Sequence, residues 1–427
     1  MTASDVVITG LGVVSPIGIG AETFWQAICE GRSGIGRIGL FDPTGLPVEI
    51  AAEVRDFVAK DYVDKAMRKS LKVMCRDAQL GVAACTSAAR ESGIQSATVD
   101  PDRFGIILGA DRICTPQPDS ESTYRACIID GQFDFARWGT EGMAATPPLS
   151  FLTVLPNMIA SHVSIALDAR GPNNTIHHGE VSSLLAIAEA ASVIQRGMAD
   201  VMIAGGASSQ MNPIDCARRC AQGILSARQD EPARAMRPFD AGRNGQVWGE
   251  GAAVFVLEGR RHAEARGAKI FARILGWASA CEAMLRENHQ PTGSGLRHAV
   301  RLALQRAAID GDSDGVGHIN AHGVSMPCDD RTEAQVLNEL LAGVPVTAPK
   351  SYFGNLGAAS GAMEMAASVL GIEKRLVPPT LNYEQPDPEC PVEVVAGEPA
   401  SATAPSALSI NATSAGQAVG VVLGSPG

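Results

Sequence analysis

A glutamate next to two histidines, at the head of a buried helix, stands in the stretch of this chain where residue types and spacing could do chemistry. The stretch reads Gly171-Pro172-Asn173-Asn174-Thr175-Ile176-His177-His178-Gly179-Glu180-Val181-Ser182-Ser183-Leu184-Leu185-Ala186-Ile187. Its first half is polar and turn-forming. From Val181 the apolar residues recur at helical spacing through Leu184, Leu185, Ala188, Ala191 and Val193, which predicts a helix starting at or just after Glu180. Small residues on every side of that helix imply close packing and burial. Val201-Met202-Ile203-Ala204-Gly205-Gly206 then reads as a buried strand. Loop, buried helix head and strand are the usual setting for a nucleophile, and the residue there is Glu180.

Three roles are open to that carboxylate. It could cap the helix, accepting backbone N–H bonds at the positive dipole end, an effect worth roughly 0.3–1 kcal/mol and up to about 2 when partly buried. It could act as an acid or base with a histidine, His177 or His178 among them. It could ligate a metal with those two, although adjacent residues of an extended segment point to opposite faces, which weakens that reading. Cys216 and Cys220, one helical turn apart, lack the second ligand pair that a zinc site needs.

The elements that must position this stretch come from a long, weakly charged chain. Its 427 residues exceed one ordinary domain, and 45 % hydrophobic against 19 % charged residues are enough for a large core carrying two fused halves. A net charge of −11 and 4 % aromatic residues argue against nucleic-acid binding. No window approaches the roughly 18 uncharged apolar residues of a membrane span, and the N-terminus lacks the basic and apolar regions of a secretion signal. Ten cysteines without CxxC pairs fit free thiols in a reducing compartment, so the expected location is cytoplasmic.

In chain order, Val6-Val7-Ile8-Thr9-Gly10-Leu11-Gly12 is a strand whose glycines miss dinucleotide-motif spacing. Residues 61–90 read as one helical stretch, with Lys65, Arg68, Lys69, Lys72 and Arg76 on one face. This basic strip on an acidic protein is either a solvated face or a dock for an acidic partner. Phe104-Gly105-Ile106-Ile107-Leu108-Gly109-Ala110 is a second strand, and residues from about 111 to 150 read as a cap or interface insertion. A helix starting at Pro156-Asn157-Met158 leads into the Glu180 stretch. Arg237-Pro238-Phe239-Asp240 and Gly245, with Trp248-Gly249-Glu250-Gly251 after them, form a glycine-bearing stretch that permits tight backbone turns.

Taken together, the Gly-Pro approach, the helix-head residue, the two hydroxyl residues, the Ala-Ile helix and the Arg-Pro-Phe-Asp…Gly-Glu-Gly pattern resemble the β-ketoacyl-acyl carrier protein synthases. The resemblance runs from about Val6 to Val422. It implies a thiolase-like α/β fold, a pseudo-twofold duplicated αβαβα layered sandwich, with halves at 1–258 and 259–427. Eight residues on from Pro172, Glu180 stands where that family has its acyl-accepting cysteine. Asn320-Ala321-His322-Gly323-Val324-Ser325-Met326 keeps the motif histidine as His322, while Val324 and Met326 replace the threonines that bind the pantetheine arm. Lys350-Ser351-Tyr352-Phe353-Gly354-Asn355 keeps Lys350 and has Asn355 in place of the second histidine. Glu364 falls on the acidic position that pairs with the lysine. Ala412 and Ser414 belong to a gate segment, Asn411-Ala412-Thr413-Ser414-Ala415-Gly416-Gln417-Ala418, that has lost both phenylalanines.

These changes oppose condensation. A carboxylate forms no stable equivalent of an acyl thioester, and an ionised Glu180 places negative charge where an enolate must develop. Asn355 donates a hydrogen bond but cannot become an imidazolium. Val324 and Met326 leave pantetheine amides unmet, at roughly 1–3 kcal/mol for each buried group. The resemblance therefore implies a degenerate subunit similar to a chain-length factor, paired with an active ketosynthase or with itself. The pairing is expected through a central strand and the helices before Glu180. An acyl carrier protein would bring the phosphopantetheine and dock on Lys65, Arg68, Lys69 and Lys72, and no other cofactor or metal is expected. Two alternatives stay open: a homodimeric enzyme using Glu180 and His322 for decarboxylation, hydrolysis or dehydration of a carrier-bound β-ketoacyl or malonyl group, and a non-catalytic acyl-binding protein.

Overall fold

The computed structural model describes residues 5–95, 98–113, 117–282, 292–309 and 315–427. Ten strands carry the architecture. In the first half they are β1 (Val6–Ser15), β2 (Phe104–Ala110), β3 (Asn173–Ile176), β4 (Val201–Ser209) and β5 (Glu250–Gly259). In the second they are β6 (Ala272–Cys281), β7 (His318–Asn320), β8 (Pro345–Thr347), β9 (Ser406–Ala412) and β10 (Gln417–Gly424). β5 lies antiparallel between β1 and β4, and β2 lies parallel between β4 and β3. The second half repeats this arrangement: β10 lies antiparallel between β6 and β9, and β7 lies parallel between β9 and β8. An antiparallel contact of Val6, Val7 and Ile8 with Ile274, Arg273 and Ala272 joins the halves into one sheet, which two short strands extend to twelve.

Helices complete the layers. The outer face of the first half is covered by α1 (Arg76–Ser92), and the outer face of the second by α4 (Ser294–Arg306) and α5 (Pro327–Leu341). Between the halves lie α2 (Ser182–Gln195) and α6 (Ser360–Lys374), almost wholly buried in one apolar cluster to which both halves contribute. The order helix, sheet, helix, sheet, helix is the αβαβα sandwich expected. α3 (Pro213–Gln222) follows β4 and reaches the site.

Close approach explains several glycines. A Cβ on Gly12 of β1 would come within 1.9 Å of the Ala84 carbonyl oxygen of α1, so helix and strand touch through backbone there. Alternating small and branched residues let the layers mesh at interior density.

Two expectations need correction here. The helical stretch over 61–90 is two elements, a 3-10 helix at Lys65–Val73 and α1, separated by an extended Met74. Lys65, Arg68, Lys69 and Lys72 are exposed, but Arg76 turns inward to Glu250 at 2.7 Å and to the Val54 carbonyl. The reason is that Glu250 is fully buried and needs a counter-charge. The strand leading to Glu180, β3, forms an edge of the sheet, with Asn173 and Asn174 exposed.

The segment from 111 to 150 lies partly, at 114–116, outside the described residues. The rest holds a helix at Gln117–Ala126, a hairpin of Ile128–Ile129 with Gln132–Phe133, and short helical turns. Among the described residues no helix is long and apolar enough to cross a membrane.

Candidate functional site

The site gathers at the C-terminal ends of parallel strands, where the chain leaves the sheet and its backbone groups are free to be aimed. β3 leads to Glu180 and α2, β7 leads to His322 and α5, and β8 leads to Lys350, Asn355 and α6. The turn between β9 and β10 brings Ala412 and Ser414. One cavity of about 250 Å³ receives Glu180, His322, Val324, Met326, Asn355, Ala412 and Ser414 together. Lys350 and Glu364 are buried behind His322 instead of lining it.

Glu180 does not cap the helix. A 3-10 turn, Gly179–Val181, precedes α2, and the N-cap, Val181, has no side-chain cap bond. Ser182 supplies the local closure: its Oγ accepts from the His178 amide at 2.7 Å and donates to the Gly179 carbonyl at 2.7 Å. The extra turn carries the carboxylate off the helix mouth, and Glu180 Oε1 accepts from Asn355 Nδ2 at 3.5 Å across the cavity.

Asn355 is fixed for that contact. Its Nδ2 also donates to Gln246 Oε1 at 2.6 Å, and its Oδ1 accepts from the Gly357 amide and Ser360 Oγ, both at 3.0 Å. The strand-end loops that supply Glu180 and Asn355 occupy equivalent positions in the two halves, so these side chains meet across the pseudo-twofold axis.

Behind the cavity wall, Lys350 Nζ pairs with Glu364 Oε1, donates to the His322 carbonyl at 2.7 Å and faces His322 Nδ1 at 3.1 Å. An ammonium only donates, so Nδ1 is assigned as the acceptor and the neutral imidazole carries its proton on Nε2. Burial, with the adjacent Lys350 charge, holds His322 well below the usual histidine range. Glu364 is pushed up by burial, against the pull of Lys350 and of Asn411, whose Nδ2 donates to Glu364 Oε2 at 2.6 Å.

Two carboxylates of α5 hold the His322 loop. Glu333 accepts the amides of His322 at 2.6 Å and Gly323 at 2.8 Å, and Asp330 accepts those of Val324 at 3.0 Å and Phe239 at 2.9 Å. Burial pushes Glu333 up to about 8, against its amide donors and Lys350, and Asp330 up to about 7, against Phe239 and Arg243. Both values lie above the ordinary carboxylate range. From about pH 4 to about pH 8 the folded chain therefore keeps protons that the unfolded chain has released, and stability falls as pH rises through that window. The expected result is a lower urea midpoint at about pH 9 than at about pH 6, with Glu333→Gln flattening the difference.

The site also contains residues without a motif. Asp111, Gln210, Arg218, Arg219, Gln222, Gln246 and Asp329 line the same cavity, mostly from α3 and the turn before it. The polar run Arg218-Arg219 on a helix with buried Cys216 was the available signal. His177 and His178 do not join them. His177 Nδ1 faces the Ala110 carbonyl at 2.9 Å, and His178 lines a separate groove together with Asn174, Leu185 and Trp277. Neither lines the cavity that holds the Glu180 carboxylate. Among the described residues no group of three His, Cys, Asp or Glu side chains is placed to hold a metal.

Residues 3–263 match the family model for the β-ketoacyl synthase N-terminal domain, and residues 271–384 match that for the C-terminal domain. The chain belongs to the β-ketoacyl synthase family. It is 34 % identical over 397 residues to a 3-oxoacyl-[acyl-carrier-protein] synthase 2 of Synechocystis sp., covering 92 % of this chain and 91 % of the relative. The solved ishigamide ketosynthase/chain length factor superposes with a TM-score of 0.87 at 26 % identity, covering 100 % of both chains. A type II polyketide synthase acyl carrier protein in complex with its ketosynthase, bound to the hexaketide, gives 0.86 at 27 % identity, covering 99 % and 100 %. The thiolase-like fold of the β-ketoacyl synthases thus extends over the whole chain, and the Glu180 cavity sits where the strand-end loops of both halves converge.

Proposed function

We propose that this β-ketoacyl synthase family member is a subunit that does not itself condense. It pairs with an active ketosynthase and shapes the cavity that receives an acyl or polyketide chain carried on the phosphopantetheine of an acyl carrier protein. The observation that carries this reading is the cavity lining: a carboxylate, Glu180, at the helix head, with no cysteine among the described lining residues. Nucleophilic acyl transfer has no thiolate to start from, and Asn355, locked by four hydrogen bonds, cannot shuttle a proton.

Pairing has a surface to use. Tyr124, Ile128, Ile129, Phe133, Met143, Leu149 and Phe151 are exposed between residues 124 and 151, and Phe135 among them is 80 % exposed. This apolar area, with the open edge of β3, fits the large apolar interface of a stable dimer. The ketosynthase/chain length factor likeness supports a ketosynthase as the occupant, and the carrier-protein complex supports docking on Lys65, Arg68, Lys69 and Lys72.

The test is purification of the tagged chain from its native host with intact-mass analysis of what accompanies it. A ketosynthase at one-to-one stoichiometry is expected, lost with Phe135→Asp and retained with Glu180→Gln. Recovery of a homodimer alone would overturn the pairing. A second reading is favoured by His322, a neutral ring lining the same cavity as the Glu180 carboxylate. If the chain is an enzyme of another reaction class on a carrier-bound group, Glu180→Gln abolishes turnover by the purified homodimer.

A further inference from the structure

Cys216 and Cys220 are two thiols that the Glu180 cavity does not use and that α3 brings together. They stand one turn apart on that helix and pack into one small apolar cluster with Trp248, Ala51 and Ile38. Cys216 is fully buried, whereas Cys220 is partly open to solvent. The Cys216 thiol is pushed up to about 12, first by burial and then by the charge and hydrogen bonding of Cys220, against the pull of Arg219. The two side chains therefore interact directly, with the more accessible sulfur on the outside and the protonated one behind it.

Helix geometry sets what the pair can do. Residues four apart on a helix have Cα atoms about 6 Å apart, inside the roughly 4.4–6.8 Å range of disulfides. Their Cβ atoms are about 5–6 Å apart, and a disulfide needs about 3.5–4.5 Å, so closing the bond distorts the turn between them. That turn has room to yield. Only Ala221 and Gln222 follow before the helix stops at a left-handed Gly223, whose amide donates to the Cys220 carbonyl at 3.0 Å. The same turn is a wall of the Glu180 cavity, which Arg218, Arg219, Gln222 and Ile224 line. Arg219 is held there by Gln210 Oε1 at 2.5 Å from its Nη2 and by the Trp248 ring, 5.6 Å from its guanidinium carbon. Further on, the Ile224 carbonyl accepts the Gln246 amide at 2.9 Å, and Gln246 Oε1 holds Asn355 opposite Glu180. A displacement of Cys220 thus reaches Arg219 on one side and the Asn355 support on the other.

We propose that Cys216 and Cys220 form a reversible disulfide whose closure rebuilds this wall, making α3 a thiol switch that reports a hydroperoxide oxidant to the cavity. The Cys220 thiolate attacks one peroxide oxygen, becomes a sulfenic acid and releases hydroxide, which takes up the proton that Cys220 lost. The Cys216 sulfur then attacks the sulfenic sulfur, and the displaced hydroxide leaves with the Cys216 proton as water. Two thiols and one hydrogen peroxide become one disulfide and two waters. A dithiol reductant reverses the step by exchange, and a bridge strained by helical spacing belongs to the readily reduced class. The inference concerns the shape of the cavity and depends neither on the group received there nor on the subunit with which the chain pairs.

The experiment treats the reduced full-length chain with hydrogen peroxide, blocks the remaining thiols and digests it with trypsin. Cleavage after Arg218 and Arg219 separates the two cysteines, so the bond is expected as peptides 197–218 and 220–228 held together and parted by dithiothreitol. Amide hydrogen exchange around residues 217–224 should speed up at least about tenfold on oxidation, as the last turn loses its hydrogen bonds. Cys216→Ser and Cys220→Ser should each abolish both changes. Three results would overturn the proposal: Cys220 driven to sulfinic acid with no linked peptides, either cysteine joined to a different one first, or the bond formed with exchange around it unchanged. If the serine variants do not fold, reversal of both signals by dithiothreitol in the wild-type chain still decides. The chain is purified alone, so failure of the ketosynthase pairing leaves these readouts intact.

Discussion

Replacing Lys350 with methionine should cost about 3–5 kcal/mol of stability, the usual penalty for leaving one member of a buried ion pair uncompensated. Lys350 is 0 % exposed, and its Nζ serves Glu364 Oε1, the His322 carbonyl and His322 Nδ1 at once. Methionine fills similar space but supplies no proton. Glu364 would then keep only Asn411 Nδ2 on its other oxygen, in a site with no access to water. The double variant Lys350→Met with Glu364→Leu removes both charges and should recover much of the loss. Urea midpoints of the three proteins check this. A single variant as stable as wild type would mean that the pair is not a charged one. The His322 ring should respond as well: without the neighbouring ammonium its pKa rises, which NMR titration of the imidazole would detect as a shift toward the usual histidine range.

Gly12→Val should be the most damaging single change at an apolar position. The Cβ alone would lie 1.9 Å from the Ala84 carbonyl oxygen and 2.9 Å from the Ala88 nitrogen, both backbone atoms of α1 that cannot swing aside. Relief requires α1 to lift off β1, opening the apolar layer that holds Leu80, Ala84, Ala88 and Val254. Overpacking costs about 1–3 kcal/mol where side chains can yield, and more is expected here. The expected outcome is loss of soluble protein or a melting temperature well below wild type. Gly139→Ala, with nothing within 4 Å of its Cβ, should change stability by less than about 0.5 kcal/mol.

Much of the scaffold could be read from residue order. The apolar runs at Val6, Phe104, Val201 and Ala252 are strands because a buried parallel or mixed sheet tolerates few polar residues on either face. The helix beginning near Glu180 was legible from its spacing. Its capping was not, because a single 3-10 turn between Gly179 and Val181 decides where the carboxylate points, and nothing in local composition distinguishes that turn from the first turn of an α-helix. Arg76 was misplaced for a related reason. In a run of basic residues it looks solvated, and only the distant Glu250, 174 residues on, draws it inward. Arg219 escaped notice because the contacts that make it unusual, with Gln210 and Trp248, form only once α3 folds back over the site.

The burial of Lys350 also sets the chain's amine chemistry. Of its seven lysines, Lys65, Lys69 and Lys72 stand exposed on one short helix, while Lys350 is sealed between His322 and Glu364. An acylating reagent for primary amines therefore marks the basic strip within the folded state and reaches Lys350 only when the interior opens. The ratio of the two labels in a digest reads out, residue by residue, how often the molecule breathes to its centre.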